Sequence, residues 1–239
     1  IFPRFFASKE SSNNRDFEQV SLFGTVDIKT GSADANYQNG TNTTVPLAGG
    51  GGGGYANFQV YAIRDEAKSK NVYFKLESFG AGDHKANPFP TLTSSLFNNV
   101  YDENRWNLSV RLKPKAVGLS GFVSSSALSY DLIFRGVSSI LGEVNKSFEV
   151  SSSVSYASGS NFLTSAKRLY AGAFRTNLTG ALLHKSDVKI SNVKYWINYI
   201  ENSDLRLHLL DIDNSGVSGS YRNISSLDTS TDMVDVLNK

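Results

Sequence analysis

The sequence predicts an all-β sandwich with one short helix near the C-terminus. Short segments in which apolar residues recur at every second position run through the chain, and this spacing is typical of half-buried strands. Long polar and glycine-rich stretches separate these segments, and only one segment has the end signals of a helix. Many strands with little helix favour a sandwich, and the lack of a fixed repeat period argues against a propeller or a solenoid.

The clearest pair of predicted strands is a hairpin. Residues 58–64 and 72–77 both alternate apolar and polar side chains, on either side of a charged turn. A further strand at 106–112 is closed by Pro114, because proline cannot donate a backbone hydrogen bond to a central ladder. The remaining predicted strands lie at 17–28, 128–135, 146–154, 168–175 and 187–199.

The one predicted helix begins at a capping signal at 202–204 and ends at the Asn-Ser-Gly turn at 214–216. Leu205, Leu209 and Ile212 recur between them at helical spacing. This helix follows the last predicted strand, in which a change of apolar face between Ile190 and Tyr195 predicts a bulge near Asn192 or a strand buried on both sides.

The chain divides into three parts. A phenylalanine-rich segment at 1–16 is expected to dock onto this domain or a neighbour, the sandwich spans 17–224, and a polar tail or linker covers 225–239. Two long insertions, at 29–54 and 80–100, are polar and glycine-rich, and the first contains six consecutive glycines. We expect both insertions to add little burial and to contact a partner.

Both tryptophans fall inside apolar segments, which makes Trp106 and Trp196 the leading core candidates. The alternative for each is a platform on which a sugar ring stacks. If replacing Trp196 by alanine leaves the melting temperature unchanged, Trp196 lies at the surface and the sugar platform is again a candidate.

Composition excludes several function classes. The formal charge is only +2, which argues against a dedicated nucleic-acid binder. The chain has no cysteine, so disulfides and thiolate chemistry are excluded, and its three scattered histidines do not suggest a histidine-rich metal centre. No apolar run is long enough to cross a bilayer. Because the chain begins at Ile1 rather than Met, we expect a processed or excised piece of something longer.

The order of segments resembles a known family. The stretches RWNLSVRLKP, YDLIFRG, KRLYAGAFRTNLTG and SDVKISNVKYWINYI, taken in this order, are similar to the laminin-G-like branch of the concanavalin A-like jelly rolls. In more detail, the last two stretches resemble concanavalin A-like domains in large structural proteins of bacteriophage virions. The resemblance covers residues 17–215, and it implies a jelly-roll β-sandwich.

Some proteins of this fold are glycosidases, but the sequence does not predict one here. Retaining glucanases of this fold carry E-x-D-x-x-E on one strand, and retaining chemistry needs two carboxyl groups ~5 Å apart. No glutamate of this chain has an aspartate two positions later. A serine nucleophile is equally unsupported, because no G-x-S-x-G elbow occurs. We therefore predict no catalytic residues.

One metal candidate remains open. Asp211, Asp213 and Ser215 match the opening of a calcium loop, but the twelfth position of an EF-hand loop is occupied by Arg222. The alternative is a helix end that unwinds into an Asx-rich turn. Laminin-G domains often bind calcium at the rim of the sandwich, so Ca²⁺ is the one cofactor that we consider, and no other cofactor is expected.

The resemblance to virion domains, together with the missing catalytic motifs, implies a non-enzymatic structural module of a bacteriophage virion, tail-associated, acting in assembly or host-surface recognition. Its partners would be other virion proteins or copies of itself, and a host-surface glycan is a further candidate. No nucleic acid and no membrane insertion are expected. The alternative is a secreted or cell-surface carbohydrate-binding and adhesion module of laminin-G type.

Overall fold

The computed structural model describes residues 2–3, 19–27, 58–66, 69–78, 89–102, 105–115, 129–164, 167–172, 174–175, 182–184, 188–196 and 199–210. Strands dominate these residues, so the predicted all-β class is confirmed. The strands are β1 (Phe2–Pro3), β2 (Gln19–Asp27), β3 (Phe58–Arg64), β4 (Val72–Glu77), β5 (Leu92–Thr93), β6 (Trp106–Pro114), β7 (Ser129–Ile140), β8 (Glu143–Ser155), β9 (Lys167–Ala171), β10 (Phe174–Arg175), β11 (Leu182–His184) and β12 (Val188–Lys189). The helices are α1 (Tyr156–Thr164) and α2 (Asn202–Leu210).

Two antiparallel sheets organise the described residues. The larger sheet has the strand order β5-β4-β3-β2-β9, and the smaller has the order β6-β7-β8. Two short pairs, β1 with β12 and β10 with β11, accompany them. The predicted hairpin is confirmed, since β3 pairs with β4 from Gln59 opposite Glu77 to Arg64 opposite Val72. A longer hairpin joins β7 to β8.

One core lies between the two sheets. Period-two alternation turns the large side chains of β4, β6, β7 and β8 to the same interior, because successive side chains of a strand point to opposite faces. Phe74 of β4 packs 4.8 Å from Trp106 of β6 and 5.6 Å from Phe148 of β8, measured between ring centroids. Phe134 of β7 meets Phe148 edge to face at 4.9 Å. The contacts of Phe74 with Trp106 and Phe148 connect the larger sheet to the smaller one.

The second insertion contributes more burial than the sequence predicts. Phe89, Leu92 and Val100, all within or beside this stretch, are buried in the shared core. Phe97 pairs with Val72 through an isolated β-bridge and packs 5.0 Å from Trp106. The expectation of little burial was wrong for residues 89–100, because apolar residues spaced through the polar stretch pack against β4 and β6.

A second helix occurs where the sequence predicts none. The α1 segment contains serines, glycine and asparagine, which are weak helix formers. The Ser155 hydroxyl accepts a hydrogen bond from the backbone N–H of Ser158 and so caps the helix start. Tyr156 stacks on Tyr130 at 6.2 Å, and Phe162 is buried against Phe58 and Phe89. Tertiary contacts therefore stabilise α1 despite its poor intrinsic propensity.

The last predicted strand is mostly irregular. Of the described residues between 188 and 199, Val188–Lys189 form a strand, and 190–196 belong to no strand. The predicted bulge near Asn192 was wrong for the same reason, since a bulge requires a continuing ladder. The strand predicted at 168–175 is likewise divided into β9 and β10 around Gly172. The C-terminal helix is confirmed as α2, although its predicted end at 214–216 lies outside the described residues.

Candidate functional site

A cleft runs along the free edge of the smaller sheet. Among the described strands, β6 is an edge strand of the smaller sheet and β9 is an edge strand of the larger sheet. Residues of β2, β6 and β9 line two adjoining cavities together with residues of the stretches 190–196 and 199–200, which belong to no strand. The two cavities share wall residues, among them Phe23, Leu108, Lys194 and Trp196. We refer to the two together as the cleft.

The larger part of the cleft, the apolar cavity, has a volume of about 200 Å³. Its inner wall consists of core side chains such as Phe58, Phe89 and Leu132. Its rim carries large apolar side chains that are about half exposed to solvent, namely Leu163, Leu169, Val193 and Tyr195. An apolar patch that surrounds a concave opening is typical of a ligand or partner site.

The smaller part, the basic cavity, has a volume of about 130 Å³. Arg105, Lys194 and His208 line it together with polar side chains that include Asn107 and Asn192. Among the described residues that line either cavity, no aspartate or glutamate occurs. The electrostatic environment of the basic cavity therefore favours an anionic group.

Trp196 lies between the two cavities rather than in the core. Its indole stacks on the imidazole of His208, with ring centroids 5.2 Å apart and an interplanar angle of 3°. Trp196 is only partly buried, whereas Trp106 retains 1% of its exposure. The prediction of a core role is confirmed for Trp106 and was wrong for Trp196, because the segment that carries Trp196 joins neither of the main sheets.

A buried arginine anchors the far end of this segment. Arg111 points to the outer face of the smaller sheet and donates hydrogen bonds to the Tyr199 hydroxyl at 3.1 Å and to the Ile200 carbonyl at 2.9 Å. Its second terminal nitrogen lies 3.3 Å from a carboxylate oxygen of Glu149. Burial lowers the pKa of Arg111, and the charges of Tyr199 and Glu149 oppose that change.

One carboxylate oxygen of Glu149 accepts hydrogen bonds from three side chains. Arg135 lies 3.0 Å and Asn202 lies 3.1 Å from the same Oε2 that Arg111 reaches. Burial alone raises the pKa of Glu149, but the hydrogen bonds from Arg135 and Asn202 and the charges of the two arginines outweigh it. The net pKa therefore lies below its usual value, and the ionised carboxylate ties β6, β7 and β8 to the start of α2.

A second exposed feature is the turn of the β7–β8 hairpin. Ile140 pairs with Glu143, so Leu141 and Gly142 form a two-residue turn, with φ of 52° and 86°. Positive φ at both positions is the type I′ geometry, which favours asparagine or glycine. The first turn position carries a leucine instead, and the side chain of Leu141 is 100% exposed. Ile140, Leu141, Val144 and the nearby Leu210 of α2 form an exposed apolar group that we call the hairpin tip.

The sequence-predicted calcium candidates, Asp211, Asp213 and Ser215, lie outside the described residues, as does the glycine run of the first insertion. Within the part of the chain that the structure describes, no group of three or more histidines, aspartates or glutamates could hold a metal ion. In the same part of the chain, no helix has the length and apolar character that a membrane crossing requires.

The cleft residues had only weak signals in the sequence. Arg105 and Lys194 are single cations beside apolar residues, and His208 stood out only as one of three histidines. Leu141 could have been found, because a leucine directly before a glycine between two alternating segments is unusual turn chemistry. No model of a known protein family matches this chain, and neither does a curated protein or a solved structure.

Proposed function

We propose that this chain is a non-enzymatic structural module of a bacteriophage virion, tail-associated, built on a concanavalin A-like jelly-roll β-sandwich. It docks onto a neighbouring protein of the particle through the hairpin tip. The order of the sequence segments supports the fold and the virion context. The hairpin tip supports the mode of action, and Leu141 is the single observation that carries it.

Leu141 combines two unfavourable features in one residue. A side chain with φ near +50° is destabilising by ~1–2 kcal/mol for most residues other than glycine, asparagine and aspartate. Full exposure of a leucine to water adds no hydrophobic stabilisation that would offset this. Such a residue is explained if its side chain is buried in a complex, because strained positions persist where function requires them.

The hairpin that carries Leu141 suits a docking element. Its two strands span 12 and 13 residues, and their pairing runs from Ser129 opposite Ser155 to Ile140 opposite Glu143, with one register shift between Ser138 and Ser139. This ladder holds the tip in a fixed direction, so little conformational entropy is lost when the tip binds. The half-exposed Ile140, Val144 and Leu210 beside it extend the apolar surface that a partner protein would cover.

The test replaces Leu141 by the residue that the turn prefers. Leu141→Asn should raise the melting temperature, because asparagine fits a type I′ turn better than leucine. The same variant should be incorporated at least tenfold less into phage particles, which mass spectrometry of purified particles measures. Leu96→Asn, at an exposed leucine that lies in neither the hairpin tip nor the cleft, is the matched control and should be incorporated normally. Normal incorporation of Leu141→Asn, or the absence of this chain from every phage particle of its source, would contradict the proposal.

The non-enzymatic assignment is supported by the state of Glu149. Its carboxylate accepts hydrogen bonds from Arg135 at 3.0 Å and from Arg111 at 3.3 Å. The net pKa of Glu149 lies below its usual value, so this carboxylate is a poor general acid. Incubation with β-glucans, agarose or alginate should therefore release no reducing ends. Turnover that a single glutamate substitution abolishes would overturn this assignment.

The second candidate is a carbohydrate-binding module of laminin-G type, and the position of Trp196 favours it. A half-buried indole beside the exposed ring of Tyr195 is the kind of surface on which a sugar ring stacks. Under this alternative, host polysaccharide binds the isolated chain in calorimetry, and Trp196→Ala removes the binding while the variant stays folded.

A further inference from the structure

We infer that the cleft is a binding site for a small amphipathic anion, with a carboxylate in the basic cavity and a short apolar tail in the apolar cavity. This site is separate from the hairpin tip, so the inference stands apart from the proposed docking function. It rests on the size of the two cavities, their contrast in lining, and their shared wall.

The size and the lining of the apolar cavity determine which tail the ligand can have. An apolar cavity of roughly 150 Å³ can hold a ring of benzene size. The apolar cavity here measures about 200 Å³, and its wall consists largely of phenylalanine and aliphatic side chains. A group between phenyl and octyl in size therefore matches it, whereas a sugar ring would place its hydroxyls against Phe58, Phe89 and Leu132 without hydrogen-bond partners there.

The charged residues of the basic cavity determine which head group the ligand can have. Arg105 is partly buried in its wall and forms no ion pair with any residue that the structure describes. Lys194 lines both cavities, and so lies at the junction where the head of a ligand would meet its tail. A guanidinium binds a carboxylate with two parallel hydrogen bonds, which gives both affinity and orientation. Asn107 and Asn192 add polar side chains to the same wall.

The ligand class can be tested on the wild-type chain by calorimetry with octanoate as the probe. Octanol has the same tail without the charge, and acetate has the same head without the tail. We expect octanoate to bind at least tenfold more tightly than either, because only octanoate uses both cavities. Equal affinity for octanoate and octanol, or no octanoate binding at millimolar concentration, would overturn the inference. Binding of glucuronate in preference to octanoate would also overturn it, and would favour the carbohydrate-binding alternative.

The placement of the head group is tested by Arg105→Gln. This variant should weaken octanoate binding about tenfold and leave octanol binding unchanged, since only the charged contact is lost. Arg206→Gln is the matched control, because Arg206 is an exposed arginine of α2 that lines neither cavity of the cleft. An Arg105→Gln variant that binds octanoate as tightly as Arg206→Gln would refute the site. Incorporation into particles should be unaffected in both variants, which separates this inference from the hairpin-tip proposal.

Discussion

The two tryptophans mark two regions that look alike in sequence and differ in structure. Trp106 is surrounded by rings from both sheets, including Phe74, Phe97 and Phe148 at 4.8 to 6.3 Å. Trp196 stacks on His208 and lines both cavities of the cleft. Strand β6 is hydrogen-bonded to β7 along nine residue pairs, whereas the described residues 190–196 belong to no strand. The difference shows that a ladder partner, rather than local apolar pattern, decides which tryptophan becomes core.

The largest effect should come from removing the core tryptophan. Trp106→Ala should destabilise the fold by about 3–5 kcal/mol, the range for deleting a fully buried aromatic side chain. Trp196→Ala should destabilise it less, because Trp196 keeps more solvent exposure than Trp106 and lines the cleft. Chemical denaturation of both variants measures the loss in the free energy of unfolding for each. Equal losses of unfolding free energy in the two variants would show that Trp196 contributes to stability as a core residue does, and would contradict its assignment to the cleft.

A smaller effect tests how tightly the core region is packed. A Cβ added at Gly136 would lie 2.2 Å from a ring carbon of Phe148 and 2.8 Å from a methyl carbon of Leu108. Phe148 cannot move away, because Phe74 and Phe134 hold its ring. Gly136→Ala should therefore destabilise the protein by about 1–3 kcal/mol.

The control for Gly136→Ala is the same substitution in a protein whose Phe148 has been replaced by a smaller residue. In a Phe148→Leu background, the further cost of Gly136→Ala should shrink, because residues in contact are energetically coupled. The four denaturation curves of this cycle measure the coupling. Additive losses would mean that the Phe148 ring does not limit the space at Gly136.

The same contrast explains which parts of the molecule the sequence could predict. Period-two alternation located β3, β4, β6, β7 and β8, because apolar side chains at every second position of each strand pack into the core while the other face carries more polar residues. It failed at 190–196, where the alternation is present but no partner strand supplies hydrogen bonds. It also gave no signal for α1, whose stability comes from Tyr130 and Phe58, residues that are distant in the chain. The cleft was beyond prediction because its walls come from β2, β6, β9 and α2 together.

The smallest effect concerns the anchor of the cleft segment and depends on pH. Glu149 has a folded pKa below its usual value, so the stability that it contributes is present above the unfolded pKa of about 4.3 and is lost as the pH falls through the folded value. Its carboxylate is partly solvent-exposed, so screening limits the contribution to about 1 kcal/mol or less. Glu149→Gln should therefore lower the melting temperature at pH 7, and the difference from wild type should be smaller at pH 3. The exposed Glu143 provides the control, because Glu143→Gln should change stability little at either pH. A difference for Glu149→Gln that stays constant from pH 7 to pH 3 would show that the loss is one of packing, and that the charge of Glu149 does not hold the segment carrying Trp196 against the smaller sheet.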